Sequence, residues 1–138
     1  MIKTFQRENF IFCFASRNGG VSEDSYNSLN CANGNGDKFY NILKNREIIR
    51  KKFSPKKKII FVNQIHSKKI VEIKNNNPNI KFADAMISSR NDISLAILTA
   101  DCAPIIVLGK KNFGIIHAGW KGTISGIIET SIEKFLKK

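Results

Sequence analysis

Two histidines and one cysteine are the residues of this chain best suited to chemistry. The chain has only two histidines. His66 closes the run "FVNQIH" and His117 the run "FGIIH", while Cys102 stands just past a third apolar run, "LAILTADC". A polar side chain at the end of an apolar strand is where a sheet presents chemistry to solvent or ligand. Two imidazoles and a thiolate make a three-ligand zinc set with a fourth position open for water or substrate. Zinc in such a site acts as a Lewis acid or water activator. Asp101, next to Cys102, suits an outer acceptor or an acid/base group. The same residues also suit a Cys–His nucleophile pair or ordinary core positions, and their separation in sequence leaves all three readings open.

The stretch "HAGWKG" (117–122) adds to the metal reading. Lys121 and Gly122 are expected at the N-terminus of the last helix, where free backbone N–H groups and the helix dipole favour an anion. Trp120 offers a flat face for a planar ligand, although packing against a sheet is the commoner fate of a lone tryptophan. Ligand, anion site and aromatic face would then share one loop.

These residues need strands to carry them. "FIFCFAS" (10–16) reads as a strand bounded by the turn-forming "RNGG", and residues 17–37 as a long polar loop of the functional or disordered kind. A helix is expected over 38–53 with Asp37 as N-cap. Phe39, Ile42, Leu43, Ile49 and Phe53 form its apolar stripe, and Arg46 lies on the same stripe. An inward arginine either snorkels, pairs with a buried acid, or points into a pocket for an anion. "IIFVNQ" (59–64), "KIVEIK" (69–74), "ADAMIS" (83–88), "SLAILTAD" (94–101), "APIIVLG" (103–109) and "FGIIHAG" (113–119) read as strands, with "NNNPN" as a break. Several are continuous apolar runs and should be covered on both faces. A final helix is expected over 123–137, its face formed by Ile124, Ile127, Ile128, Ile132, Phe135 and Leu136, ending in Lys137–Lys138. The pattern predicts one α+β domain across residues 1–138, with no repeat or linker. A sheet-rich second half that stops after one helix suggests an incomplete domain.

Composition narrows the classes. An ordinary apolar fraction of 42% argues for a globular chain rather than a disordered one. No stretch approaches the ~20 apolar residues of a membrane helix. The opening "MIKTFQRENFIFCF" lacks a secretory pattern, so a cytoplasmic location is expected. Cys13, Cys31 and Cys102 are an odd number without a C-x-x-C pair, which disfavours a disulfide framework. The net charge of +12 invites a nucleic-acid reading, but the lysines are scattered in short clusters without interleaved aromatics. A solvated surface is the simpler explanation.

Read in order, "SRNGGVS" (16–22), "YNSLN" (26–30), Gly36–Asp37 with Asn45–Arg46, "NQIHS" (63–67), "ADAMIS", "TADCAPI" (99–105) and "HAGWKG" resemble the multicopper polyphenol oxidase (laccase-domain) family, whose members are now regarded as purine nucleoside phosphorylases. The resemblance implies a mixed-sheet α/β sandwich with flanking helices. It implies a zinc-type metal on His66, Cys102 and His117, with copper as the alternative. It also implies phosphorolysis of adenosine, inosine and methylthioadenosine, with adenosine deamination. Purine nucleosides and phosphate are thus the expected partners. Arg17, Arg46 and Lys121 are the candidate phosphate contacts, Ser16 joins Arg17 in the "RNGG" loop, and Asn30 and Asn45 either bond ribose or hold the loop. Cys102, Asp101 and Arg46 are the candidate catalytic residues. "GWK" stands where the family more often has "GWR", keeping charge and losing bidentate geometry. The family also usually continues well beyond this helix, so a complementing chain or an oligomer belongs among the expected partners. The other readings are a polyphenol oxidase, a peptidoglycan-editing hydrolase with Cys102 as nucleophile, and an inactive remnant.

Overall fold

The computed structural model describes residues 2–75 and 82–137. Most of the expected "NNNPN" break, and Lys138, lie outside the described residues. The chain divides into two compact units, Met1–Lys57 and Lys58–Lys138.

The first unit opens with a hairpin. β1 (Ile2–Arg7) pairs antiparallel with β2 (Phe10–Ala15), and Arg7 lies opposite Phe10. That register leaves a two-residue turn, for which Glu8 adopts a φ of 52°. β2 matches the strand read from "FIFCFAS", whereas β1 was not anticipated. Phe5 and Phe12 stack across the pair with ring centroids 5.5 Å apart.

After a long loop containing one 3-10 turn (Asp24–Tyr26), α1 runs from Phe39 to Phe53. Its N-cap is Lys38 and not Asp37; Asp37 stands one residue before the cap, and its carboxylate accepts from the Lys38 N–H at 2.7 Å. The expected stripe is also corrected. Ile42 and Asn45 are the helix's buried residues, while Phe39 and Leu43 are exposed. The helix packs through Asn45 onto the loop before it, so its inward face is rotated away from the side carrying Phe39 and Leu43.

The second unit is layered. A mixed four-stranded sheet has the order β4–β5–β8–β7. It comprises β4 (Ile70–Glu72), β5 (Ala85–Ser88), β7 (Ala103–Leu108) and β8 (Phe113–Ala118). β4 and β5 are parallel; β5–β8 and β8–β7 are antiparallel. β3 (Lys58–Ile60) and β6 (Ile93–Leu95) form a separate parallel pair. β6 is much shorter than the expected strand over 94–101.

Strand alternation sends successive side chains to opposite faces. Val71, Met86 and Ile115 join Ile60 and Ile93 of the β3–β6 pair in one core cluster. Their neighbours Ile70, Ala85 and Ile116 join Ile127 and Ile128 in the other. The central strand β5 is buried along its whole length, as expected for a sheet covered on both faces, and β8 is mostly buried. The edge strand β7 starts with the exposed Ala103 and Pro104.

The expected single helix over 123–137 is two helices. α2 (Trp120–Ile124) ends at Ser125, and α3 (Ile127–Leu136) begins after Gly126, whose φ of 86° breaks the helical path. The predicted face is kept at Ile127 and Phe135 and corrected elsewhere. Ile127, Ser131 and Phe135 are the buried row, while Ile124, Ile132 and Leu136 are exposed.

Candidate metal centre

The sheet brings the three candidate ligands together by register. Ala103 at the start of β7 lies opposite Ala118 at the end of β8. Cys102, one residue earlier, therefore falls beside the end of the strand that carries His117. On the other side of β8, Ala85 lies opposite Ile116, and the His117 N–H donates to the Asp84 carbonyl at 2.7 Å. Asp84 in turn reaches the loop after β3, where His66 sits. The ligating atoms of His66, Cys102 and His117 all lie within 4.8 Å of one another. The two rings meet edge to face, with centroids 4.8 Å apart.

Three other residues, none of them named as site residues from the sequence, hold this arrangement. Asp84 is fully buried and accepts from five donors. These are the N–H groups of Ile65, His66 and Ser67, the Ser67 hydroxyl, and His117 Nδ1 at 2.9 Å. Burial pushes its carboxyl up, but the bonds from His117, Ser67 and His66 outweigh burial and hold it below the usual carboxylate range. Gln64 clamps the segment leading to Cys102. Its amide donates to the Leu98 carbonyl and accepts from the Leu98 N–H, both at 2.7 Å. Gly119 leaves room: a Cβ there would lie 2.8 Å from His66 Cδ2 and 3.1 Å from Cys102 Sγ. Gln64 and Asp84 belong to the motifs "NQIHS" and "ADAMIS", and that membership was the available signal.

The donor set fits a borderline-soft divalent ion. Because Nδ1 of His117 is engaged by Asp84, Nε2 is the nitrogen left for a metal. Cys102 Sγ and His66 Nε2 are 4.0 Å apart. Zinc bond lengths place tetrahedral donors roughly 3.3–3.7 Å apart, so this pair needs only a small contraction and the widest pair about 1 Å. Without a metal the cysteine is a poor nucleophile. Desolvation and the adjacent Asp101 carboxylate, which accepts from the thiol at 3.7 Å, both push the Cys102 thiol up. Cys13 and Cys31 are also free thiols, each pushed up to about 11 by burial.

The remaining candidates fall in two places. Lys121 lies within α2, which starts at Trp120 with Gly119 as N-cap, three residues earlier than the helix read from the sequence. Its Nζ sits 5.4 Å over the Trp120 ring. Trp120 is 68% exposed, so it is not packed into the sheet.

Ser16, Arg17, Asn30, Asn45 and Arg46 belong to the first unit. The Arg17 guanidinium donates from Nε to the Asn27 carbonyl at 2.8 Å, and Nη2 bonds the same oxygen. Arg46 Nε donates to the Cys31 carbonyl at 2.9 Å. Asn45 accepts from the Val21 N–H at 2.8 Å and donates to Ser22 Oγ and to the carbonyls of Ser28 and Asn30. Asn30 donates to the Asp37 carboxylate at 2.8 Å. The exposed Ser16 receives a long bond from the Asn18 N–H, at 3.5 Å.

Comparison with known proteins accounts for this set of motifs. A family model described as multi-copper polyphenol oxidoreductase laccase matches residues 11–138, across both units. The purine nucleoside phosphorylase YfiH of Shigella flexneri is 30% identical over 128 residues, which are 91% of this chain and 53% of that protein. A purine nucleoside phosphorylase of Aquifex aeolicus is 35% identical over 91 residues, 66% of this chain and 44% of that one. Among solved structures, the Neisseria meningitidis protein NMB0706 superposes with a TM-score of 0.82 at 30% identity, covering 96% of this chain and 52% of that one. The chain spans about half the length of these relatives. It belongs to the multi-copper polyphenol oxidoreductase laccase family.

Proposed function

We propose that this family member is a zinc-dependent purine nucleoside phosphorylase whose metal is held by His66, Cys102 and His117. The observation that carries the reading is the nitrogen–sulfur–nitrogen trio within 4.8 Å, with the spare nitrogen of His117 turned to a buried carboxylate. Relatives named as purine nucleoside phosphorylases support the substrate class. Bound zinc would supply Lewis acidity at its open fourth position.

The chain's own residues do the rest. Phosphorolysis forms a bond from a phosphate oxygen to C1′ of the ribose and breaks the bond from C1′ to the purine nitrogen, and the departing base takes up a proton. Lys121 contributes positive charge for phosphate, and Asp101 beside Cys102 is the group assigned to proton transfer. Ser16, Arg17, Asn30, Asn45 and Arg46 are assigned to substrate on their motifs alone. Deamination of adenosine is a second activity of the same reading. A multicopper oxidase is disfavoured because both histidines of the chain are already in one group.

The test is phosphate-dependent release of base from inosine and adenosine by the zinc-loaded chain, with ammonia measured in parallel. Base release that requires phosphate and disappears in His117→Ala is expected. A folded, metal-loaded chain that cleaves no nucleoside would contradict the assignment. Dioxygen uptake with a phenol would move it to the oxidase.

A further inference from the structure

We propose that Asp84 is a positioning residue that assembles the ligand trio in advance, by fixing His117 as the Nδ1–H tautomer and by holding His66 in a left-handed backbone conformation. The inference rests on reading the trio as a metal site, but it concerns a carboxylate outside the ligand set. The motif "ADAMIS" contains this residue without assigning it a role.

All but one of the bonds divide between the two carboxylate oxygens. Oδ1 accepts from the His66 N–H at 2.9 Å and from His117 Nδ1 at 2.9 Å. Oδ2 accepts from the Ser67 N–H at 2.7 Å and the Ser67 hydroxyl at 2.9 Å. The Ile65 N–H is shared between them at 3.2 and 3.3 Å. One oxygen therefore ties the backbone of one ligand to the ring of another.

An ionised carboxylate only accepts, so its imidazole partner must carry its proton on Nδ1, which leaves the lone pair on Nε2. The backbone bonds serve the other ligand. His66 has φ 55°, a left-handed conformation that is unfavourable for a β-carbon-bearing residue. It lets three successive N–H groups converge on one anion, a nest geometry. Asp84 is itself fixed, since its N–H donates to the Lys69 carbonyl at 2.9 Å and its carbonyl accepts from His117 N–H at 2.7 Å. A nearly immobile carboxylate thus sets the angle of two ligands at once.

The first experiment needs no variant and no metal. Long-range proton–nitrogen correlation on the metal-free wild-type chain, read where the ring's own nitrogen shifts report a single proton, should show His117 protonated at Nδ1 and bare at Nε2. The opposite tautomer overturns the proposal, whatever the chain does with metal.

The second experiment measures zinc affinity by competition with a chromophoric chelator. Asp84→Asn is expected to bind zinc about 10- to 100-fold more weakly. Ile60→Ala, a core truncation in β3 that touches none of these bonds, should stay within about threefold of wild type. Unchanged affinity in a folded Asp84→Asn, or an equal fall in Ile60→Ala, overturns the proposal. If Asp84→Asn does not fold, the wild-type tautomer still decides. A wild-type chain with the expected tautomer but no zinc uptake would overturn the metal reading while leaving the role of Asp84 on the ring intact.

Discussion

Each unit is organised by one fully buried polar side chain, and the two are of opposite kinds. Asn45 in the first unit is neutral, and its amide both donates and accepts, so it closes the loop over residues 21–30 upon itself. Asp84 in the second unit only accepts. Its five donors include an imidazole that has a second nitrogen to offer elsewhere. A neutral organiser can satisfy itself within a loop. An anionic one imposes direction on its partners, and that direction is what a metal ligand needs.

Exchanging the two chemistries should break both units, the second more severely. Asp84→Asn turns an NH2 group toward N–H donors in a buried site, and should cost about 3–5 kcal/mol in chemical denaturation. Asn45→Asp sets a carboxylate against the carbonyls of Ser28 and Asn30, and about 2–3 kcal/mol is expected. Near-wild-type stability in either variant would show that the polarity of the buried group is not what holds its loop.

Two glycines sharpen the contrast. A Cβ at Gly20 would meet the Ser28 carbonyl oxygen at 2.2 Å and Leu29 Cα at 2.4 Å, backbone atoms that cannot move aside. Gly20→Ala should therefore destabilise by about 2–3 kcal/mol. At Gly119 the backbone is ordinary for alanine, with φ −75°, and the added methyl meets the side chains of the candidate ligands His66 and Cys102 instead. Gly119→Ala should cost about 1 kcal/mol of stability yet weaken zinc binding by about tenfold, as read by chelator competition. Equal zinc affinity in Gly119→Ala and wild type would remove the steric account of that position.

Acid should act on both units with the same sign. Asp37 is held below its ordinary value chiefly by the Ser22 hydroxyl at 2.7 Å, with help from Asn30. A carboxylate depressed in the folded state stabilises fully above its unfolded value of about 4, and that stabilisation is lost as pH falls through the lower folded value. Asp84 is depressed as well, so urea unfolding at stepwise lower pH should show stability falling in this window. Asp37→Asn should flatten the part that belongs to the first unit; an unchanged acid limb would show that Asp37 does not contribute. The smallest effect is expected at Ser131, whose buried hydroxyl has no hydrogen-bond partner among the described residues. Ser131→Ala should be neutral or stabilise by up to about 1 kcal/mol, and a clear loss in thermal unfolding would reveal a bond to this hydroxyl.

What could be read from the sequence was local. β2, β7 and β8 followed from apolar runs bounded by turn residues, and the ligand candidates stood at the ends of such runs. What could not be read depended on packing. The last helical segment carries two apolar rows four residues apart, Ile124–Ile128–Ile132–Leu136 and Ile127–Ser131–Phe135. The second row is the buried one, although a serine interrupts it. Composition placed both rows on one face, Ile127 and Phe135 included, and contact with the sheet buried only the second. Asp84 was missed for the same reason. Its role exists only once β5 pairs with β8 and the His66 loop closes over it, a connection spanning residues 65–117.

The most direct test of the metal centre is the metal content of the chain purified after expression with zinc, measured by elemental mass spectrometry beside His117→Ala. About one zinc per wild-type chain is expected, the ratio set by a single three-ligand site, and none in the variant. A well-folded wild-type chain without metal would contradict the metal reading.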